Sequence, residues 1–261
     1  MEIQHHHYIL IFNKNHSNFN ISNKKEMQQE TSPIMDDYNK SNNKFQFKIK
    51  RSIQLTGPTH AGKTTWLFNL LKNKDIMFNG DEIPQQILYN YGVYQPTYDK
   101  MKNEIPNITF HEGIPSLEEL QMYSDGKSTI VIFDDLAHMF IKNPEMEVLM
   151  VRECHHNKIT CIVINHNIFQ KGNHSRTQAL NTQYMICFKN CRDQQQFAYL
   201  AREIDPINPK RITEAYRDAI SKPYGYLVID FTENTDDNMR LLTDIFPDED
   251  TMVYFPNKYN T

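Results

Sequence analysis

The sequence predicts an α/β fold, a mostly parallel sheet with helices on both faces. Three observations carry this. Short apolar runs alternate with helical patterns, the rhythm of βαβ units. The runs are near-continuous in apolar residues, as strands covered on both faces are. One run leads through a glycine-bearing loop straight into an amphipathic helix.

Taken in order, strands are expected at Ser52 to Thr56, Gln86 to Asn90, Ile108 to His111, Ser128 to Asp134, Ile159 to Asn165, Tyr184 to Phe188 and Gly225 to Phe231. Helices are expected over Gly62 to Asn73, Ser116 to Met122, Pro144 to His155, Asp193 to Glu203 and Pro209 to Ile220. The first helix takes its apolar stripe from Trp66, Leu67, Leu70 and Leu71. No internal repeat is visible. Residues 1–46 are rich in Asn, Lys, Ser and His without a sustained apolar period, which reads as a disordered low-complexity tail. One folded domain is expected over residues 47–261.

With 39% hydrophobic and 23% charged residues, the chain can bury a sizeable core. Its net charge of -4 excludes a protein that is basic all over, so any DNA contact must be local. The four cysteines form no secreted disulfide pattern, and reduced thiols in an intracellular setting are expected. The apolar run Tyr8 to Phe12 is far too short to span a bilayer, and no membrane segment is expected.

Gly57-Pro58-Thr59-His60-Ala61-Gly62-Lys63-Thr64 matches G-x-x-x-x-G-K-[ST], and it sits between a strand and a helix, as that phosphate-binding motif requires. The glycines let backbone N–H groups turn inward around phosphate oxygens, and the helix start adds a favourable dipole. The expected ligand is ATP with Mg²⁺, held by Gly57 through Thr65; Lys63 reaches the β and γ phosphates and Thr64 ligates the metal. Asp134 and Asp135 end an apolar strand. Asp134 is the expected second Mg²⁺ ligand and Asp135 the base that polarises the attacking water. A pair that merely caps a turn is the plainer alternative.

At the end of Ile159 to Asn165, His166 and Asn167 are placed to sense a γ-phosphate, or else simply form a polar turn. Arg152, Arg176, Arg192 and Arg202 are each candidates for a finger supplied by a neighbouring subunit, though most surface arginines are solvated or salt-bridged. Cys187 and Cys191, with Cys154, His155 and His156, have the wrong spacing for a zinc knuckle.

The phosphate loop, Phe110-His-Glu-Gly-Ile-Pro-Ser-Leu117, Ile132-Phe-Asp-Asp-Leu136, Asn173-His-Ser-Arg-Thr177 and Ser221-Lys-Pro-Tyr-Gly-Tyr226 together resemble the genome-packaging ATPases of the FtsK/HerA superfamily. The likeness is to those of adintoviruses and Maverick/Polinton elements, and more distantly of poxviruses, and spans about Arg51 to Pro247. It implies a RecA-like P-loop NTPase core, a homo-oligomeric ring, and ATP-driven movement of double-stranded DNA into a capsid. It implies Asp135 as the water-activating acid and favours Arg152 and Arg176 as fingers. His166 stands where many members have Gln. Lys171, His174 and Arg176 form a small basic cluster on a possible DNA-facing loop. Capsid proteins are possible partners, and a host nucleus, a cytoplasmic virus factory or the virion the implied location. Two other classes share the loop: a nucleotide or small-molecule kinase, and a domesticated copy that binds without turnover.

Overall fold

A computed structural model describes residues 8–12, 20–21, 45–80, 82–136, 139, 142–149, 152, 154–169 and 179–255. In chain order the strands are β1 (Tyr8–Phe12), β2 (Asn20–Ile21), β3 (Phe47–Lys48), β4 (Ser52–Thr56), β5 (Phe78–Asn79), β6 (Gln86–Tyr91), β7 (Ile108–Glu112), β8 (Thr129–Asp134), β9 (Ile159–Asn165), β10 (Tyr184–Phe188), β11 (Tyr226–Asp230), β12 (Leu241–Thr243) and β13 (Thr251–Phe255). The helices are α1 (Lys63–Lys72), α2 (Lys74–Met77), α3 (Thr97–Glu104), α4 (Leu117–Ser124), α5 (Pro144–Val148), α6 (Cys154–His156), α7 (Gln194–Ile204) and α8 (Pro209–Ala219).

All but β3 and β5 join one sheet in the order β2-β1-β13-β12-β11-β10-β4-β9-β8-β6-β7. From β10 through β7 the neighbours run parallel. From β10 to β2 they run antiparallel, so β11 opens an extension of opposite sense. Within the stretch read from composition as a tail, β1 pairs along its length with β13, Tyr8 against Phe255 through Phe12 against Thr251. That stretch therefore contributes strand to the sheet, which the surrounding polar composition hid.

Alternation along the strands sends side chains to the two faces of the sheet. Ile53 and Leu55 of β4, Ile162 and Ile164 of β9, and Ile186 and Phe188 of β10 pack with Trp66, Leu67, Leu70 and Leu71 of α1. Trp66 meets Phe188 and Tyr226 edge-on and Phe246 at a tilt, with ring centroids 5.4 to 6.2 Å away. On the opposite face, Met185, Cys187, Leu227 and Ile229 meet α7 and α8 through Phe197, Leu200, Ile212 and Tyr216. Farther along that face, Val131, Phe133, Cys161 and Val163 meet Leu120 of α4, Met146 of α5 and Cys154 of α6. Both faces are covered, which is why the parallel strands are near-continuously apolar.

The caps explain where several helices begin. Ser116 and Glu119 form a reciprocal capping box at α4, Asp193 accepts from Gln196 N at α7, and Pro209 opens α8. The helix expected over Pro144 to His155 is seen as α5 and α6, separated by residues that lie in part outside the described set. Cys154, Cys161 and Cys187 are buried free thiols and Cys191 is exposed. Among the described residues no helix is long and apolar enough to cross a membrane.

Candidate nucleotide site

The carboxyl ends of β4, β9 and β8 lie side by side, with β9 in the middle. Gly57 to Gly62 turns from β4 into α1, so the loop, the polar end of β9, and Asp134 and Asp135 at the end of β8 share one edge. Gly57 N donates to Asn165 O at 3.2 Å, tying the loop's first residue to the end of β9.

Two glycines in the loop are structural necessities. A methyl group on Gly57 would come 2.8 Å from Phe188 Cβ, and Gly62 sits at φ 100, where side chains are strained. Gly62 caps α1 without a side-chain bond to the helix, and no acid stands in its first turn. The helix start is thus left free to meet an anion. His60 adopts φ 64 and projects into solvent with Thr59, while Thr64 is half-buried and Thr65 exposed. Pro58 and Ala61 are half-buried.

Lys63 is 6% exposed, and its ammonium donates to Gly57 O at 2.6 Å and Pro58 O at 2.8 Å. Burial lowers its pKa, while Asp134 and Asp135 act in the opposite sense. The ammonium is therefore folded onto the loop's own carbonyls, at the place where phosphate oxygens would take over its hydrogen bonds.

Asp134 is 4% exposed, and its Oδ2 accepts from Tyr89 OH at 2.6 Å and Tyr98 OH at 3.0 Å. Burial raises its pKa, with Asp135 adding to the rise; the two phenols and Lys63 oppose it. Behind the phenols, Tyr89, Tyr98 and Phe110 pack at centroid distances of 5.0 to 5.3 Å. Sequence reasoning missed both tyrosines, because nothing local joins Tyr89 or Tyr98 to Asp134; the bonds span 45 and 36 residues.

Asp135 takes the left-handed φ of 58 and, unlike buried Asp134, is exposed. Its carbonyl lies so close to Gly92 that a methyl there would be 2.8 Å away. Asp135 Oδ1 stands 3.2 Å from His166 Nε2, joining the expected base and the expected sensor. The chain after His166 is pinned, since Gln54 Nε2 donates to Ile168 O at 3.2 Å and Ile168 N to Gln196 Oε1 at 2.9 Å. Asn165 is 1% exposed with neither polar atom of its side chain bonded, and Thr56 Oγ1 beside it is also unbonded. Buried polar groups are rarely left so, and their place at this edge fits a polar ligand or the water around one.

Arg152 is exposed in the segment between α5 and α6. Arg176, with Lys171 and His174, lies outside the described residues. Arg192 and Arg202 are exposed, the latter with its guanidinium 5.5 Å from the Tyr199 ring centre. Among the described residues no group of three or more His, Cys, Asp or Glu is placed to hold a metal by itself. A divalent ion here would need phosphate oxygens and water beside Thr64 and Asp134, the donor set that Mg²⁺ favours.

No protein-family model matches the sequence, and no curated protein does. Solved structures do. The DNA-packaging ATPase B204 of Sulfolobus turreted icosahedral virus aligns with a TM-score of 0.51 at 12% identity, over 71% of this chain and 95% of that one. The fold is that of a P-loop NTPase. The genome packaging NTPase B204 of Sulfolobus turreted icosahedral virus 2, in complex with ATP-gammaS, aligns with a TM-score of 0.48 at 12% identity over 71% and 95%. For the N-terminal domain of zonular occludens toxin from Neisseria meningitidis the values are 0.38, 13%, 56% and 80%. At such identities the likeness speaks of fold alone. In this P-loop NTPase fold the strand between the phosphate loop and the acids is β9, and it brings His166 to Asp135.

Proposed function

We propose that this P-loop NTPase hydrolyses ATP and uses the cycle to move double-stranded DNA, as a viral genome-packaging motor of the FtsK/HerA kind working as a homo-oligomeric ring. The observation that carries hydrolysis is the Asp135–His166 contact at the end of β9, beside the phosphate loop. A carboxylate held by an imidazole on an open sheet edge suits activation of water. The packaging reading draws on the five segments that resemble packaging ATPases, and on a fold shared with B204, itself a DNA-packaging ATPase.

ATP and Mg²⁺ together supply a phosphoryl group and the charge that neutralises it. Loop residues Gly57 to Thr65 bind phosphates by backbone N–H groups. Lys63 exchanges its two carbonyl partners for phosphate oxygens. The Thr64 hydroxyl and Asp134 hold the metal, and the phenols of Tyr89 and Tyr98 fix the orientation of Asp134. Asp135 takes a proton from water, and His166 holds the Asp135 carboxylate in place. An arginine of a neighbouring subunit, Arg152 or Arg176, stabilises developing charge.

The test is ATP turnover by the full chain with and without long double-stranded DNA, beside Lys63→Ala and Asp135→Asn. DNA should stimulate turnover several-fold, and each substitution should lower it by at least about 100-fold. Turnover indifferent to DNA would overturn the motor and favour a kinase. Binding without turnover would mark a non-hydrolysing copy.

A further inference from the structure

Tyr224 lies in the turn between α8 and β11 and is 70% exposed. Its backbone adopts φ 58, a region costly for a bulky residue, so the surrounding turn must hold it there. The turn is fastened at several points. Ile220 N donates to Tyr216 O at 3.0 Å, Gly225 N to Lys222 O at 3.2 Å, and Lys189 N to Gly225 O at 3.3 Å. Lys222 forms an ion pair with Asp244. Gly225 admits no side chain, since a methyl group would meet Ala219 O at 2.3 Å.

What the turn holds is an aromatic ring against the phosphate loop. A methyl built on Gly62 would lie 3.2 Å from Tyr224 Cδ1, 3.4 Å from Cβ and 3.6 Å from Cγ. One edge of Tyr224 thus rests on the residue before Lys63, and the rest of the ring is open to solvent. Among the described residues its hydroxyl makes no hydrogen bond, and the ring belongs to none of the buried clusters. A rigidly held, solvent-facing aromatic surface beside a phosphate loop has the chemistry to stack on a flat heterocycle.

We propose that Tyr224 is the shelf on which the base of a bound nucleotide stacks, so that the loop holds the phosphates and this ring holds the nucleoside end. The proposal rests on reading Gly57 to Thr65 as a nucleotide site. Stacking tolerates any base, so this shelf adds affinity for nucleosides in general and little choice among them. The hydroxyl is dispensable and the ring is not.

Isothermal titration of the full chain with Mg·ATP and with Mg·tripolyphosphate separates the two halves of the ligand. Tyr224→Ala should weaken ATP on the order of ten-fold and leave tripolyphosphate unchanged, while Tyr224→Phe should keep both affinities. Tyr224→Leu, which retains apolar contact with Gly62 but has no aromatic face, should behave as the alanine variant and guards against a collapsed turn. Equal ATP affinity in Tyr224→Ala would overturn the shelf with the nucleotide site intact. Equal loss of ATP and tripolyphosphate in both truncated variants would show that the ring only props the loop, and would overturn it too. A wild-type chain that binds neither ligand would instead overturn the nucleotide site itself.

Discussion

Asp134 carries two demands that pull against each other. As the proposed metal ligand it must be ionised, yet burial raises its pKa and disfavours that charge. For an acid whose folded-state pKa is raised, stability is full below the unfolded value, roughly 4, and is lost as pH climbs from there through the folded value. Asp134→Asn keeps an acceptor for Tyr89 and Tyr98 and removes the charge. It should raise the melting temperature at pH 7 by about 2–4 °C, a gain that vanishes below roughly pH 4, and should abolish Mg²⁺-dependent turnover. Thermal melts across pH check the first part. The acid was singled out in the sequence by its place at the end of an apolar strand. Its phenol partners were not, since pairing across strands is a property of the sheet. The same holds for Asp135 and His166, each singled out by its strand end but joined only when β8 and β9 lie adjacent.

Among the elements, the α8–β11 turn leaves no room for a side chain at Gly225. Gly225→Ala places a methyl against Ala219 O at 2.3 Å and 2.9 Å from Ile220 Cα, both backbone atoms that cannot swing aside. The substitution should destabilise the chain by about 1–3 kcal/mol, visible as a lower urea midpoint with an unchanged slope. Strong periodicity made α1, α7 and α8 readable in advance. α3 escaped because only Tyr98 and Met101 of its residues are buried and no side chain caps it. β12 and β13 escaped for another reason: β12 has three residues, and both strands follow a polar stretch that reads as loop. β1 escaped because five apolar residues inside a polar segment carry no record of the distant strand they join.

At the scale of the whole molecule, β1 covers β13, and a chain beginning at residue 45 would leave β13 as a bare edge. Unpaired edges invite strand pairing between molecules. Such a truncated chain should show concentration-dependent self-association in sedimentation velocity beyond that of the full chain, with nucleotide affinity retained. The parallel half of the sheet has a consequence for synthesis. β4, at residues 52–56, is flanked by β9 at 159–165 and by β10 at 184–188. A nascent chain that has emerged only through residue 158 contains the whole phosphate loop but neither neighbour of the strand that supports it. Native pairing of β4 must wait until most of the polypeptide has left the ribosome, and until then its apolar run is left for chaperones to shield.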